Sequence, residues 1–400
     1  MLKQFNVFIF IVLGSISSSV SANSQTAPFI NAQTTPTNDL VISNDIDVTN
    51  DAGEPSERKK NEDLFVLPPL PKPTTANASV TVTTNSTTFV YSFMGLEQTD
   101  KGLDVSSQAW KLDLSDTPLQ WKPISAVPTI QKQKGRFATT ATTLDNIIYL
   151  LGGYSTNSVT RPKLTPNLQN ITDFYSYDPV NDTYQHLADM PVPVDDTVIL
   201  PYQSRYLYVI SGWHKDGAVN LVQVFDTHKN SWFQASPLLG NGRFGHAAGI
   251  IDNQIVLCDG MEQTPQLASA PALNIKASCL LGEINAMDPS KITWFQWVHP
   301  TDSGRFRMAA FSDVDRGSIS FIGGSTKPYD VNGTINGGKL AEPNAEIWTY
   351  HADKRSWSIT ESSNPVFDIK NVVKLNNQLL TIGGRESTGI SNKVLNHSER

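Results

Sequence analysis

A short pattern recurs six times along this 400-residue chain and restricts the folds that it can adopt. Each copy is a run of apolar residues that ends at a glycine, in several cases as Gly-Gly. Successive copies are 48 to 64 residues apart. A repeat of this length accommodates one four-stranded blade of a β-propeller, with longer loops in some copies. The glycines that end the runs are Gly95, Gly153, Gly212, Gly260, Gly324 and Gly384.

Two further sequence patterns recur with the same period as the apolar runs. An apolar or aromatic residue is followed seven positions later by an aromatic one, which is typical of a hairpin between the third and fourth strands of a blade. Gly-Arg-Phe occurs at residues 135–137, 242–244 and 304–306, each time before a run of small residues. Small side chains suit the innermost strand, where a propeller is narrowest. The spaced pairs are Tyr177/Tyr184, Phe225/Trp232, Met287/Trp294 and Tyr350/Trp357.

These signals predict an all-β fold, a six-bladed propeller over residues 64–400. The sixth blade has only three predicted strands. Residues 64–67 form an apolar run before a proline-rich segment, as an outer strand would. We predict that they complete the sixth blade and close the ring, because a closed ring leaves no unpaired inner edge. The alternative is an open ring in which residues 64–71 are a linker.

The N-terminal part has the pattern of an export signal. Lys3 precedes an apolar run, and Val20-Ser21-Ala22 offers small residues for cleavage, so residues 1–22 are predicted to be a signal peptide. A retained membrane anchor is the alternative. Residues 23–63 are polar and acidic and are predicted to be a flexible linker. We expect a periplasmic or secreted protein with no membrane span after cleavage. A net charge of −7 argues against nucleic acid as a partner.

Three arginines occupy equivalent places in the repeat. Arg136, Arg243 and Arg305 each precede an innermost strand, so we expect them to converge around the mouth of the central channel. Guanidinium groups there would bind a carboxylate or a phosphate by charge and by their forked geometry. The alternative is that they pair with acids of neighbouring blades and only hold the ring together.

The three signals together resemble the kelch family, over roughly residues 64–396. Within that group the chain is similar to the exported six-bladed sialic acid mutarotases, or N-acetylneuraminate epimerases. The similarity lies at residues 90–114, at Arg136 and at residues 379–394. It implies an isomerase that interconverts the anomers of an acidic sugar by general acid/base catalysis, without metal or cofactor.

The resemblance also implies roles for single residues. The catalytic acid of that family directly follows the glycine of the fourth blade, where this chain has Met261, with Glu262 one position later. We predict that Glu262 is the catalytic base, and that Lys276 replaces a basic residue of the same loop. The predicted substrate-binding residues are Arg136, Arg243, Arg305, Lys276 and Arg385.

A function without catalysis is the second hypothesis. The displacement of Glu262 and the presence of Lys276 also suit a kelch propeller that binds a glycan or a protein partner on its loop face. The seven His residues show no metal-ligand spacing, which argues against the copper site of a galactose oxidase, so no metal is expected. Cys258 and Cys279 fall on neighbouring predicted strands, where a disulfide or two buried thiols are both consistent with the pattern.

Overall fold

In each of the six large sheets, an apolar run of the repeat forms the strand that follows the innermost one. The structure is a computed structural model. Residues 1–65, which include the predicted signal peptide, the linker and residues 64 and 65, lie outside the described residues. No helix in the described ranges is long and apolar enough to cross a membrane. Those ranges are 66–84, 86–129, 134–155, 170–215, 217–264, 272–335 and 337–398.

The first two large sheets are antiparallel. In the first, β3 is central and pairs with β1, β2 and β4. In the second, the order follows the chain from β6 to β9. The strands of the first sheet are β1 (Thr74–Thr75), β2 (Ala78–Thr84), β3 (Thr87–Thr99), β4 (Gly102–Asp113) and β5 (Trp121–Ile124). Those of the second are β6 (Thr140–Leu144), β7 (Ile147–Leu151), β8 (Phe174–Asp178) and β9 (Thr183–His186).

The third and fourth sheets each carry a small additional sheet, to which the chain that follows the glycine of the repeat contributes. The third sheet and its ribbon contain β10 (Val198–Tyr202), β11 (Tyr206–Ile210), β12 (Trp213–His214), β13 (Gly217–Ala218), β14 (Val222–Asp226) and β15 (Ser231–Ala235). The fourth region contains β16 (Arg243–Phe244), β17 (Ala247–Ile251), β18 (Gln254–Cys258), β19 (Met261–Thr264), β20 (Ala272–Ile275), β21 (Cys279–Asn285) and β22 (Asp288–Trp297). Here β17, β18, β21 and β22 form the large sheet, and β16, β19 and β20 form the small one.

The last two large sheets follow the same plan, and a single 3-10 turn at Val314–Arg316 joins two strands of the fifth. The fifth contains β23 (Ala309–Asp313), β24 (Ser318–Ile322), β25 (Glu346–His351) and β26 (Ser356–Glu361). The sixth region contains β27 (Val373–Leu375), β28 (Gln378–Ile382), β29 (Arg385–Glu386), β30 (Gly389–Ile390) and β31 (Val394–Asn396). Here β27, β28 and β31 form the large sheet.

The innermost strands surround one central cavity of about 230 Å³. Its walls come from β2, β6, β10, β17 and β23 and from residues 370–373, so that all six large sheets contribute. Many of the lining side chains are small or hydroxylated, such as Thr140, Thr142 and Ala248. The runs of small residues after Gly-Arg-Phe therefore line the narrowest part of the molecule, as their size requires.

Just before each innermost strand, one residue adopts a left-handed conformation. Backbone hydrogen bonds join these residues in sequence: Ala138 donates to Ala76, Asp196 to Ala138, Gly245 to Asp196 and Arg307 to Gly245, over 2.7–3.4 Å between nitrogen and oxygen. Ala76 in turn donates to Asp368 over 3.1 Å, which links the first large sheet to the last. We call this set the turn ring. It consists of Ala76, Ala138, Asp196, Gly245, Arg307 and Asp368, with φ between 47° and 62°.

The described part of the N-terminal segment does not form the predicted outer strand, of which residues 64 and 65 lie outside the described residues. Val66 and Leu67 are outside any strand, and the last large sheet has three strands. Leu67 and Leu70 instead pack into an apolar cluster with Val373 and Leu380, and the Leu70 N–H donates to the carbonyl of Asn392 over 2.7 Å. Pro68 and Pro69 follow Leu67 directly, and because proline has no N–H for a strand ladder, no ladder can continue past Leu67.

Candidate functional site

A cavity of about 300 Å³ lies beside the turn ring, on the side of the loops that follow the repeat glycines. Aromatic side chains from several large sheets form most of its wall, and Asp195, Asp196, Arg307 and Asp330 are its charged or titratable residues. We call it the aromatic cavity. Its aromatic residues are Phe137, Tyr154, Trp213, Phe244, Phe306 and Tyr329.

The repeat itself builds this wall. The residue before each turn-ring position pairs across a short bridge with the residue that follows the repeat glycine, as in Phe137 with Tyr154. We call these six residues the collar: Thr75, Phe137, Asp195, Phe244, Phe306 and Phe367. The Phe244 ring contacts that of Phe306, with 5.6 Å between centroids and an edge-to-face geometry that aromatic pairs favour. The collar therefore consists of four phenylalanines, one threonine and one acid.

Asp195 is that acid, and it is buried, with 6% of its surface exposed. The Asn170 Nδ2 donates to Asp195 Oδ2 over 2.8 Å, while the Lys215 N–H donates to Asn170 Oδ1 over 2.6 Å. The second bond fixes the orientation of the Asn170 amide. Burial, and then the neighbouring charge of Asp196, raise the pKa of Asp195 well above its usual value. Asp195 therefore keeps its proton at pH values where an ordinary aspartate has lost it.

Five charged side chains lie together behind the cavity wall, and we call them the axial charge cluster. Arg307 donates to Asp196 through Nε and Nη2, over 2.9 and 2.6 Å, and through Nη1 to Asp368 over 3.1 Å. Lys370 donates to Asp196 over 3.2 Å and Arg385 to Asp368 over 2.9 Å. Three cations face two carboxylates, so one positive charge is left when Asp195 is protonated.

The electrostatics of the cluster are those of buried ion pairs. Burial alone would raise the pKa of Asp196, but Arg307 and Lys370 hold it below its usual value. Burial would likewise raise the pKa of Asp368, and Arg307 and Arg385 lower it. Burial would lower the pKa of Arg307, yet Asp196 and Asp368 keep it well above its usual value. Asp196, Asp368 and Arg307 therefore stay charged near neutral pH.

The predicted convergence of three arginines is not found. Arg136, Arg243 and Arg305 are buried, and none of them lines the aromatic cavity. Arg136 and Arg305 each donate through Nη1 to two backbone carbonyls beside their own second and third strands, as Arg305 does to Gly323 over 3.0 Å and to Glu346 over 2.9 Å. Arg243 donates to the carbonyl and the hydroxyl of Ser278. These side chains lie two residues before the turn ring and run into the sheet, where their hydrogen-bond partners are backbone carbonyls and Ser278 rather than acids of neighbouring sheets.

Glu262 also lies away from the cavity. Met261 lines the cavity wall, and because successive side chains of a strand point to opposite faces, Glu262 points the other way. Its Oε1 accepts an ion pair from Lys276 Nζ over 3.2 Å. The structure thus joins the predicted catalytic base to one predicted binding residue, away from the collar. Arg385 takes part in the axial charge cluster, where the carbonyls of Val331 and Asn332 accept from it as well.

Sequence reasoning missed Asp195, Asp196, Arg307 and Lys370. The signal was available: when the repeats are aligned on Gly-Arg-Phe, Asp195 falls at the Phe position and Asp196 at the next one. The third repeat lacks the Arg of this motif, having Val194 there, so a search for Gly-Arg-Phe does not find it.

The two cysteines form a disulfide, with 4.1 Å between their Cα atoms. They face each other across β18 and β21. Cys258 is followed by buried Asp259, which accepts from the His299 ring over 2.7 Å and from the Arg305 N–H over 2.8 Å. Although burial opposes it, hydrogen bonding to Asp259 raises the pKa of His299. The bridge thus holds the strand that leads to Met261 in the cavity wall.

Parts of this chain are similar to known proteins. The model of the Kelch motif matches residues 135–191. Kelch-like protein 15 of Gallus gallus is 24% identical over 120 residues, which are 30% of this chain and 22% of that protein. The solved structure of YjhT superposes with a TM-score of 0.61 at 17% identity, covering 84% of this chain and 100% of that one. The motif and the superposition, together with the all-β sheets, show that this chain has a kelch β-propeller fold.

Proposed function

We propose that this protein binds a small acidic sugar in the aromatic cavity. One observation carries the proposal: a cavity of about 300 Å³ combines aromatic rings with Arg307, which belongs to a cluster of net positive charge. This volume is at the lower end of the range for small-molecule sites, about 300–1,000 Å³, and suits a monosaccharide. Flat apolar rings pack against the C–H faces of a sugar, and the few polar groups fix its orientation.

The Arg307 side of the cavity favours an anionic ligand, whereas the Asp330 carboxylate of the wall accepts hydrogen bonds within its own loop. The chain as a whole carries −7, but the axial charge cluster leaves one positive charge next to the aromatic wall. Arg307 is both part of that cluster and part of the wall. In a partly desolvated site, the attraction between this charge and a ligand carboxylate is stronger than it would be in water. An acidic sugar therefore gains a contact that a neutral sugar lacks.

The proposal includes a closed ring of six blades. The hydrogen bonds of the turn ring run from sheet to sheet, and the bond from Ala76 to Asp368 connects the first sheet with the sixth. All six large sheets also contribute to the central cavity. A closed ring would hold the collar residues in fixed positions around one axis, which a ligand site built from several sheets needs.

The resemblance to exported sialic acid mutarotases extends the proposal to the ligand and the compartment. It supports a sialic acid as the sugar, a signal peptide at residues 1–22, and a periplasmic or secreted protein. The resemblance also suggested Glu262 as the catalytic base, but its pairing with Lys276 outside the cavity argues against that role. A propeller that binds the sugar without converting it, or that binds a protein partner on the same face, is the alternative.

Calorimetric titration of the protein with N-acetylneuraminic acid tests the proposal, with neutral N-acetylglucosamine as the comparison ligand. We expect the acidic sugar to bind at least tenfold more tightly, and Trp213→Ala to weaken its binding by about tenfold or more because one wall of the cavity is removed. Phe295→Ala is the matched control, since Phe295 is a half-exposed aromatic residue on an outer strand. Absence of binding, or equal losses in both variants, would contradict the proposal.

A further inference from the structure

We propose that Asp195 is the catalytic proton donor for anomer exchange of a sugar held in the aromatic cavity. This inference rests on the proposed function, because it needs a sugar in that cavity. It replaces Glu262, which the resemblance had suggested, with a residue of a different repeat.

The first argument is the place of Asp195 in the repeat. Four of the six collar residues are phenylalanines, and the bridge of Asp195 to Trp213 matches the bridge of Phe137 to Tyr154. The backbone at residue 195 could therefore carry an aromatic side chain that packs with its neighbours. A buried carboxyl among aromatic rings costs stability, and such costs concentrate at functional sites.

The second argument is that Asp195 differs from the other acids near the cavity. Asp196 is held by Arg307 and Lys370. Asp330 accepts hydrogen bonds from the backbone N–H groups of Asn332 and Thr334 within its own loop. In the described part of the chain, Asp195 has no ion-pair partner, and its hydrogen bond from Asn170 reaches Oδ2, which leaves Oδ1 for the cavity. Its raised pKa supports a protonated carboxyl there.

The chemistry needs only this one group. Asp195 Oδ1 donates its proton to the ring oxygen of the sugar while the bond between that oxygen and the anomeric carbon breaks, its electron pair going to the oxygen. The anomeric hydroxyl becomes a carbonyl and gives its proton to the Asp195 carboxyl. Ring closure on the opposite face of the carbonyl reverses both transfers and yields the other anomer. Atoms and charge balance, and Asp195 ends protonated as it began.

Two measurements on the same samples test this inference. Exchange NMR gives the rate of anomer interconversion of N-acetylneuraminic acid, and calorimetry gives its affinity. In Asp195→Asn the new side chain can still accept the Asn170 hydrogen bond, so the fold and the affinity should persist, with affinity changing less than about threefold. Its acceleration of anomer exchange should fall at least about 100-fold, because the carboxyl proton is lost. Glu262→Gln is the control and should keep the full rate.

The outcomes separate this inference from the proposed function. If the wild type binds the sugar but Asp195→Asn keeps its acceleration, or if the wild type gives no acceleration, Asp195 is not the proton donor and the binding function stands. If the wild type binds no sugar, the proposed function and this inference both fail. The pH profile adds a readout that a structural role would not give: the wild-type acceleration should decline as rising pH removes the proton of Asp195.

Discussion

Arg305 shows how a charged side chain can serve the fold rather than a ligand. Its guanidinium carbon lies 3.5 Å from the ring centroid of Trp348, and its Nη1 joins the carbonyls of Gly323 and Glu346. Burial lowers its pKa to about 10, which leaves it charged at neutral pH. Arg136 is similarly placed, over the ring of Tyr175. These arginines join the second and third strands of their own sheets.

Arg305→Ala should therefore lower the free energy of unfolding by about 3 kcal/mol, because two buried carbonyls lose their donor and a cavity forms over Trp348. Urea unfolding at neutral pH measures this. Arg316→Ala, which removes a half-exposed arginine, should change stability by less than about 0.5 kcal/mol. A small effect of Arg305→Ala together with a large loss of sugar affinity would instead return this residue to the ligand site.

The raised pKa of Asp195 predicts how stability depends on pH. As pH rises above the ordinary aspartate value, the unfolded chain loses this proton while the folded chain keeps it, so Asp195 makes the fold progressively less stable until pH passes its folded pKa. Asp195→Asn has no such proton. The stability of the variant relative to wild type should rise with pH from about pH 4 upward. A relative stability that does not change with pH in urea titrations would contradict the protonated state of Asp195.

At the scale of elements, the disulfide joins the end of β18 to the start of β21, and the chain between them contributes to the cavity wall. Both cysteines are fully buried and directly opposite each other. The intervening chain includes β19, which carries Met261 into the wall. The bridge therefore limits the freedom of this chain in the unfolded state and fixes its anchor points in the folded one.

Replacing both cysteines by alanine should lower the free energy of unfolding by about 3 kcal/mol, as expected for a closed loop of this length. The single variants Cys258→Ala and Cys279→Ala are the controls. Since either one removes the bridge, each should cost nearly as much as the double variant, and the losses should not add. Additive losses in guanidinium unfolding would mean that the cysteines act only through packing.

The sequence alone predicts the strands better than it predicts the site. The apolar runs that end at glycine became β7, β11, β18 and β24 because hydrophobicity and turn formers act locally. The direction of the Arg136 and Glu262 side chains depends on register within the sheet, where one residue reverses the face. At the N-terminus, Val66 and Leu67 are outside any strand, directly before Pro68 and Pro69, which cannot join a ladder. Asp195 can be recognised from the sequence only when the repeats are aligned with one another.

At the scale of the whole molecule, the turn ring connects distant parts of the chain. The bond between Ala76 and Asp368, and the bonds of Thr74 to Ser391 and Gly384, tie the N-terminal segment to the sixth sheet. Asp196, Arg307 and Asp368 of the ring also carry most of the axial charge cluster. The contacts that hold the sheets together therefore also place the charges of the candidate site.

A chain that begins at Ala78 should lose these contacts together with the burial of Leu67 and Leu70, a loss of about 5 kcal/mol. Its Tm should fall by about 7 °C relative to a control chain that begins at residue 64. Calorimetric melting of both chains measures this. Equal melting temperatures would show that the N-terminal segment contributes little to joining the first and sixth sheets.

The central claim is that the collar, with Asp195 among its phenylalanines, surrounds an acidic sugar. A crystal structure of the protein with N-acetylneuraminic acid tests it most directly. The claim predicts the sugar in the aromatic cavity, its carboxylate toward Arg307 and its ring oxygen within hydrogen-bond reach, about 2.6–3.2 Å, of Asp195 Oδ1. An empty aromatic cavity with the sugar bound elsewhere, or a bound sugar whose ring oxygen is turned away from Asp195, would contradict it.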